Sequence, residues 1–150
     1  ITRSYAVVIG YQAMQFADSG STVAIGYQAN NTASTSFGTG AVHIGYQAGR
    51  SSTRNRAVNI GYGAGYSATS GGGVVIGEFA SYSNTSGSNR VVIGAQAARF
   101  FTGSDATAIG AYALYSSGSG YGNTGVGANA LRDNSSGSRN TAIGLPLIHI

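Results

Sequence analysis

Catalytic or metal-binding chemistry in this chain of 150 residues would have to come from four acids and two histidines, because it contains no Cys and no Lys. Two carboxyl groups held close together can cleave a glycosidic bond, and three or four converging ligands can hold zinc. His43 and His149 have no companion at ligand spacing. The acids are dispersed along the chain, at Asp18, Glu78, Asp105 and Asp133. We therefore predict no enzyme activity, no catalytic residue, no metal site and no cofactor.

A second candidate for chemistry is a series of tyrosines that recur in equivalent sequence contexts. Four of them follow the same V-x-I-G pattern, at Tyr11, Tyr27, Tyr46 and Tyr62. If exposed, such a row is a candidate binding surface for a glycan or another surface polymer. The alternative is that stacked Tyr and Gln side chains stabilise the fold or fill an interface between subunits.

Composition excludes several classes of function. Only 8% of the residues are charged, and the net charge of +4 is the balance of eight Arg against four acids. The Arg are spread along the chain, and only Arg50, Arg54 and Arg56 lie close together. Basic residues that bind nucleic acid cluster on one surface, so we expect no nucleic-acid partner. No apolar run approaches the ~18–20 residues of a membrane span, so we expect no membrane insertion.

The tyrosines belong to a repeat that occupies nearly the whole chain. Nine copies of a V-x-I-G-x-x-A motif follow one another, in steps of 16, 19, 16, 16, 17, 16, 17 and 17 residues. We call its invariant glycine the corner glycine and number the slots after it from one. The corner glycines are Gly10, Gly26, Gly45, Gly61, Gly77, Gly94, Gly110, Gly127 and Gly144.

Alternation of apolar residues before the corner glycine predicts a short strand. The two flanking slots of V-x-I accept only Val or Thr and Ile or Val, so we predict that they point into the core. The centre slot accepts both Val8 and His43, so we predict that it points outward. The corner glycine needs a positive φ or has no space for a Cβ, the Ala of the third slot faces inward, and a second short strand follows, as at 64–67 and 113–116.

Two strands and two turns per repeat describe one coil of a parallel β-solenoid, with coils about 4.8 Å apart. We predict one all-β repeat domain over residues 1–150, with coils at about 5–144 and an irregular tail at 145–150. Equivalent side chains then stack into ladders, and Arg99 lies between Tyr82 and Tyr115 in the ladder of the fifth slot. So thin a core favours lateral association between copies of the chain, which adds buried apolar surface.

The motifs RVVIG at Arg90, NTAIG at Asn140 and STVAIG at Ser21 resemble the head repeats of trimeric autotransporter adhesins. The longer unit from Gly122 to Gly144 and the motif VAIGYQA resemble repeats of phage tail fibres. This resemblance implies left-handed parallel β-rolls, three side by side, in an extracellular fibre of a virion tail or a bacterial surface. It implies a homotrimer with a structural or adhesive function, and a host-surface glycan or protein receptor as a further partner.

Three alternatives remain open from the sequence. The repeat has open strand edges at both ends, which favour end-to-end stacking into a filament. The Tyr row could make the chain a glycan-binding module. Ice binding is a minor alternative, because Thr recurs in register only at Thr107, Thr124 and Thr141.

Overall fold

The computed structural model describes residues 5–16, 21–31, 40–53, 56–69, 72–116 and 118–145. Each repeat contributes one strand of three or four residues. The nine strands form one parallel sheet in chain order, so every strand pairs with the strand of the next repeat. They are β1 Val7–Ile9, β2 Val23–Ile25, β3 Val42–Ile44, β4 Ala57–Ile60, β5 Gly73–Ile76, β6 Arg90–Ile93, β7 Thr107–Ile109, β8 Thr124–Val126 and β9 Thr141–Ile143.

Strand pairing follows the repeat without a slip. Ile25 pairs with Ile44, and Ile44 pairs with Ile60, so equivalent residues of successive repeats are neighbours. The 19-residue step between Gly26 and Gly45 does not shift this register. An all-β parallel β-solenoid is therefore confirmed. The 19-residue step predicts a bulging turn through residues 31–36. Residues 32–39 lie outside the described residues, as do residues 146–150 of the predicted tail.

Two constraints, a positive φ and a lack of space for a Cβ, favour glycine at the corner. Its φ is +130° at Gly61, in the region that side chains rarely adopt. A Cβ at Gly61 would also lie 2.7 Å from the carbonyl oxygen of Gly77, the corner of the next coil. At Gly144, which has no described coil beyond it, a Cβ would meet nothing within 4 Å. Close stacking of the coils thus adds a steric constraint to the φ strain at every corner that has a described coil beyond it.

The predicted orientation of the strand residues is wrong. Centre-slot side chains such as Ala24, Val75 and Val92 are buried. Flanking-slot side chains point away from them, and Ile9 is 58% exposed. Thr107, expected inside, shares this outward side. The third-slot Ala is buried in eight repeats, as predicted, at Ala13, Ala29, Ala48, Ala64, Ala80, Ala97, Ala113 and Ala130.

The centre slot tolerates different residues because the fourth slot compensates for its size. The imidazole of His43 occupies the space that a Cβ of Gly49 would need, and the amide of Asn59 does the same above Gly65. In contrast, Ala108 and Gly125 share their repeats with large fourth-slot residues. The pairs are Ala24 with Asn30, His43 with Gly49, Asn59 with Gly65, Val75 with Ser81, Val92 with Ala98, Ala108 with Leu114 and Gly125 with Leu131.

The first repeat departs from this rule, since Val8 and Met14 are both large. Met14 is fully buried and packs with Ala24 and Ala29 of the next repeat, while Val8 is only partly buried against the same cluster. The small centre residue of the second repeat therefore provides the space. Variation of the centre slot thus reflects packing in a narrow interior rather than exposure to solvent.

The predicted second strand is also absent, because residues 62–67 and 111–116 form turns. The second and fourth slots have positive φ, as in Gln28 (51°) and Asn30 (49°), which is incompatible with an extended strand. The backbone is still hydrogen bonded between coils, since Gln28 N–H donates to Tyr11 O and Asn30 N–H to Ala48 O, both at 2.9 Å. Each coil is therefore bonded to its neighbours along the turns as well as along the strand.

We predict that Gly77→Ala destabilises the protein far more than Gly144→Ala. A Cβ at Gly77 lies 2.5 Å from Gly94 O, so overlap adds to φ strain, and the free energy of unfolding falls by about 3 kcal/mol or more. Gly144→Ala meets only φ strain and costs about 1 kcal/mol. Chemical denaturation followed by circular dichroism measures both. Equal losses would contradict the stacking argument.

We predict that the centre slot and the fourth slot of one repeat share a single space. Gly49→Leu alone destabilises, because the new side chain overlaps the imidazole of His43. Adding His43→Ala recreates the natural pair of Ala108 and Leu114, so the double variant is more stable than Gly49→Leu by about 2 kcal/mol. A double-mutant cycle by chemical denaturation measures this coupling. Additive losses would show that the two slots do not share one space.

Candidate functional site

The four tyrosines of the first slot form the row that the sequence predicts. Their ring centroids are 5.5 Å apart for Tyr11 and Tyr27, 4.9 Å for Tyr27 and Tyr46, and 4.7 Å for Tyr46 and Tyr62. The rings are tilted by at most 15° from one another, and their residues are 39–66% exposed. The coil spacing thus presents a nearly parallel aromatic stack to solvent. Its role in binding stays a prediction.

Glutamines of the second slot run beside this stack. Gln28 Nε2 donates to Gln12 Oε1 at 2.7 Å, and Gln47 Nε2 donates to Gln28 Oε1 at 2.9 Å. A primary amide has two N–H donors, so one N–H of Gln28 and one of Gln47 are not used by this ladder. The ladder therefore fixes the side chains and leaves them able to donate further hydrogen bonds.

The aromatic row changes column in the fifth repeat, where Glu78 replaces Tyr in the first slot. Tyr62 meets Phe79 of the second slot edge-on at 5.0 Å, and Phe79 meets Tyr82 of the fifth slot at 5.3 Å. Tyr82 also stacks on Tyr66 at 4.8 Å. Where Tyr is lost from the first slot, the row of aromatic rings therefore continues in the second and fifth slots.

Arginines continue the fifth-slot ladder in a pattern that the sequence predicts only in part. The guanidinium of Arg99 lies 5.6 Å from the ring of Tyr82, as expected. Its other ring neighbours are Phe79 at 5.0 Å and Phe100 at 5.2 Å, whereas the ring of Tyr115 lies 5.6 Å from Arg132. These cation–π contacts contribute about 0.5–1 kcal/mol each at exposed sites. They make this side of the solenoid an aromatic and cationic surface.

The outer side of the sheet carries side chains that the sequence predicts to lie in the core. Its two columns hold the flanking-slot residues, mostly Val and Ile, and we call them the aliphatic face. Ile93 is 36% exposed although it lies in a central strand, β6, and Ile9 in the edge strand β1 is 58% exposed. The sequence indicates this face by the nearly uniform β-branched residues of the flanking slots, but we predicted that their side chains point into the core.

Arg90 is a buried charge with a structural explanation. Its Nη2 donates to Gly87 O at 2.7 Å, and its Nη1 lies 3.2 Å from Ser86 O and 3.3 Å from Gly103 O. Its guanidinium is 6.0 Å from the ring centroid of the buried Phe101. Arg90 therefore binds carbonyl groups of the turn that precedes it and of the equivalent turn in the next coil.

The interior also contains one imidazole. His43 is buried, and its Nδ1 lies 3.0 Å from Nδ2 of Asn59 in the next coil. Burial lowers the pKa of His43 from its ordinary 6.5 to about 4, because the interior solvates the imidazolium ion poorly. The ring is therefore neutral near pH 7, where Nδ1 can accept the amide hydrogen of Asn59.

No group of three His or acidic side chains able to hold a metal ion occurs within the described ranges. The described acids Glu78, Asp105 and Asp133 belong to different repeats, and Asp18 and His149 lie outside the described residues. The described part of the chain contains no helix long and apolar enough to cross a membrane.

No protein-family model, no curated protein and no solved structure matches this chain.

We predict that acid destabilises the protein through His43. The unfolded chain takes up a proton below pH 6.5, but the folded chain does so only near pH 4. The free energy of unfolding therefore falls in acid. This loss is absent above about pH 7, grows as pH falls through 6.5, and reaches about 3 kcal/mol near pH 4. Thermal melting at about pH 7 and about pH 4.5 measures it. His43→Asn, which copies the pair of Asn59 with Gly65, should flatten this dependence, and an unchanged dependence would contradict it.

Proposed function

We propose that this chain is a non-enzymatic structural and adhesive segment of an extracellular fibre, in which three copies pack side by side. The observation that carries the proposal is the exposed aliphatic face. Nine strands at about 4.8 Å spacing and two residue columns give it an area on the order of 400 Å². The largest apolar patch of a monomeric protein is about 300–600 Å² and is often functional. A second and a third copy of the chain are the occupants that we propose.

The shape of the aliphatic face supports packing between copies. In-register strands place equivalent side chains in straight columns, as with Ile60 beside Ile76. Val and Ile have few rotamers in strands, so the face is preorganised for contact with an equally regular surface. Thin coils gain little from their own interior, and lateral contact adds the apolar burial that they lack.

A filament built end to end is the second candidate. Strands β1 and β9 each have a strand neighbour on one side only within the described sheet. Ile143 of β9 is 78% exposed, more than Ile9 or any other exposed Val or Ile of the described aliphatic face. Such edges can pair with another chain.

A glycan-binding module is the third candidate, favoured by the stacked and exposed rings of Tyr11, Tyr27, Tyr46 and Tyr62. These rings lie in the first slot, next to the aliphatic face. A trimer that covers them would use the row as interface, whereas a trimer that leaves them exposed would add an adhesive surface to the fibre.

We predict a trimer of about 45 kDa in solution, three times the chain mass of 15.0 kDa. Ile60 and Ile76 are paired neighbours on the aliphatic face, so Ile60→Lys with Ile76→Glu places an ion pair there. The two charges attract each other in the isolated chain, but burying them between chains is costly. We expect this double variant to become a monomer, measured by analytical ultracentrifugation, with an unchanged circular dichroism spectrum.

The matched control places the same charges in the sixth slot of the same two repeats, as Ser67→Lys with Ser83→Glu. These residues lie on the turn side, where Ser67 N–H donates to Tyr82 O and Ser83 N–H to Arg99 O, so we expect the control to stay trimeric. A wild-type monomer would reject the proposal. Rods that lengthen with concentration in electron microscopy would favour the filament instead.

A further inference from the structure

A shallow pocket of about 380 Å³ opens on the turn side of the first three repeats. Its walls hold an aromatic ring, a guanidinium group and several amides, contributed by Phe16, Arg50, Gln12, Gln15, Gln28 and Asn31. These residues occupy the second, fifth and sixth slots of their repeats, whereas the aliphatic face is made of flanking slots. The pocket is therefore separate from the surface to which we assign subunit contact.

The pocket exists because one side chain in the fifth-slot ladder is short. Asn31 lies between the longer Gln15 of the previous repeat and Arg50 of the next, and it is nearly buried. The flanking side chains belong to coils about 10 Å apart, twice the coil spacing. That gap has room for one sugar ring with its substituents.

Arg50 brings a positive charge to the pocket in a fixed position. Its Nη1 lies 2.7 Å from the hydroxyl oxygen of Tyr66, to which it donates, and its guanidinium is 5.6 Å from the centroid of that ring. A guanidinium has five N–H donors, so most of them are not used by Tyr66. The one ion pair among the described residues joins Arg132 to Asp133, so no described carboxylate neutralises Arg50.

The remaining lining groups have complementary chemistry. The amide of Gln28 is held by Gln12 and Gln47 and keeps one N–H for another acceptor. Phe16 is 57% exposed at the rim, where its ring can cover the apolar side of a pyranose. A cation, oriented amides and an exposed ring together match a ligand that has a carboxylate, several hydroxyls and one apolar side.

We infer that this pocket binds a carboxylated sugar unit of an acidic polysaccharide. Arg50 binds the carboxylate, the amides of Gln12 and Gln28 bind hydroxyls, and Phe16 packs on the ring. This inference extends an adhesive function to a defined ligand class and does not require the trimer. A binding measurement therefore tests it separately from the oligomeric state.

The probe is trigalacturonic acid, titrated into the full chain by isothermal titration calorimetry, with its methyl ester and maltotriose as uncharged comparisons. We expect the acid to bind more tightly than both. Arg50→Gln should weaken binding of the acid about tenfold or more, since a hydrogen bond to a charged group is lost. Phe16→Ala should weaken binding of the acid and of the ester alike, because it removes only the apolar contact.

The matched control is Arg132→Gln, which removes a cation from the same slot far from the pocket and should leave binding unchanged. Melting temperatures of all variants verify that the fold is retained. Absence of binding, equal affinity for the acid and its ester, or an equal effect of Arg132→Gln would overturn the inference. Equally effective competition by acetate would overturn it too, since it would indicate a simple anion site.

Discussion

Hydrogen bonding between closely stacked coils is the constraint on which this structure depends. Strand pairs and turn pairs both join each repeat to the next, as in the bonds from Gly45 N–H to Ile25 O and from Gln47 N–H to Tyr27 O, each 2.8 Å long. This spacing leaves no room for a Cβ at the eight corners that have a described coil beyond them, from Gly10 to Gly127. It also fixes the register, because a shift by one residue would place a side chain against the backbone of the next corner.

The same constraint makes the interior narrow enough for neighbouring slots to depend on each other. His43 is accommodated because its repeat has Gly49, and Leu114 because its repeat has Ala108. A slot that varies in sequence can therefore be the most buried one, whereas a uniform slot can face outward. Uniformity in the flanking slots reflects the preference of an exposed or shared sheet surface for β-branched residues, and this is why their orientation was predicted wrongly.

The period and the invariant glycine were sufficient to predict the parallel sheet, its strand order and its register. The turns were not predictable to the same degree, since most positive-φ positions hold ordinary residues such as Gln96 and Leu131. Gly63 and Gly65 were the available signal, because they occupy the second and fourth slots, where every repeat with described turns has positive φ. The Tyr row followed from the repeat alone, but the pocket did not, because it depends on the length of one side chain, Asn31, relative to its neighbours.

The aliphatic face and the turn side of the solenoid suit different kinds of contact. The row of aromatic rings begins next to the first and ends on the second. Beginning beside the aliphatic face with Tyr11, the rings follow the first slot to Tyr62 and then cross through Phe79 to the fifth slot at Tyr82. In the later repeats the first slot holds Ala95, Ala111 and Ala128, which are small enough to let a neighbouring chain approach the sheet closely. Aromatic and cationic groups there lie on the turn side instead. If copies of the chain pack through the aliphatic face, the aromatic and cationic groups of the later repeats therefore lie away from that contact, where they can meet other molecules.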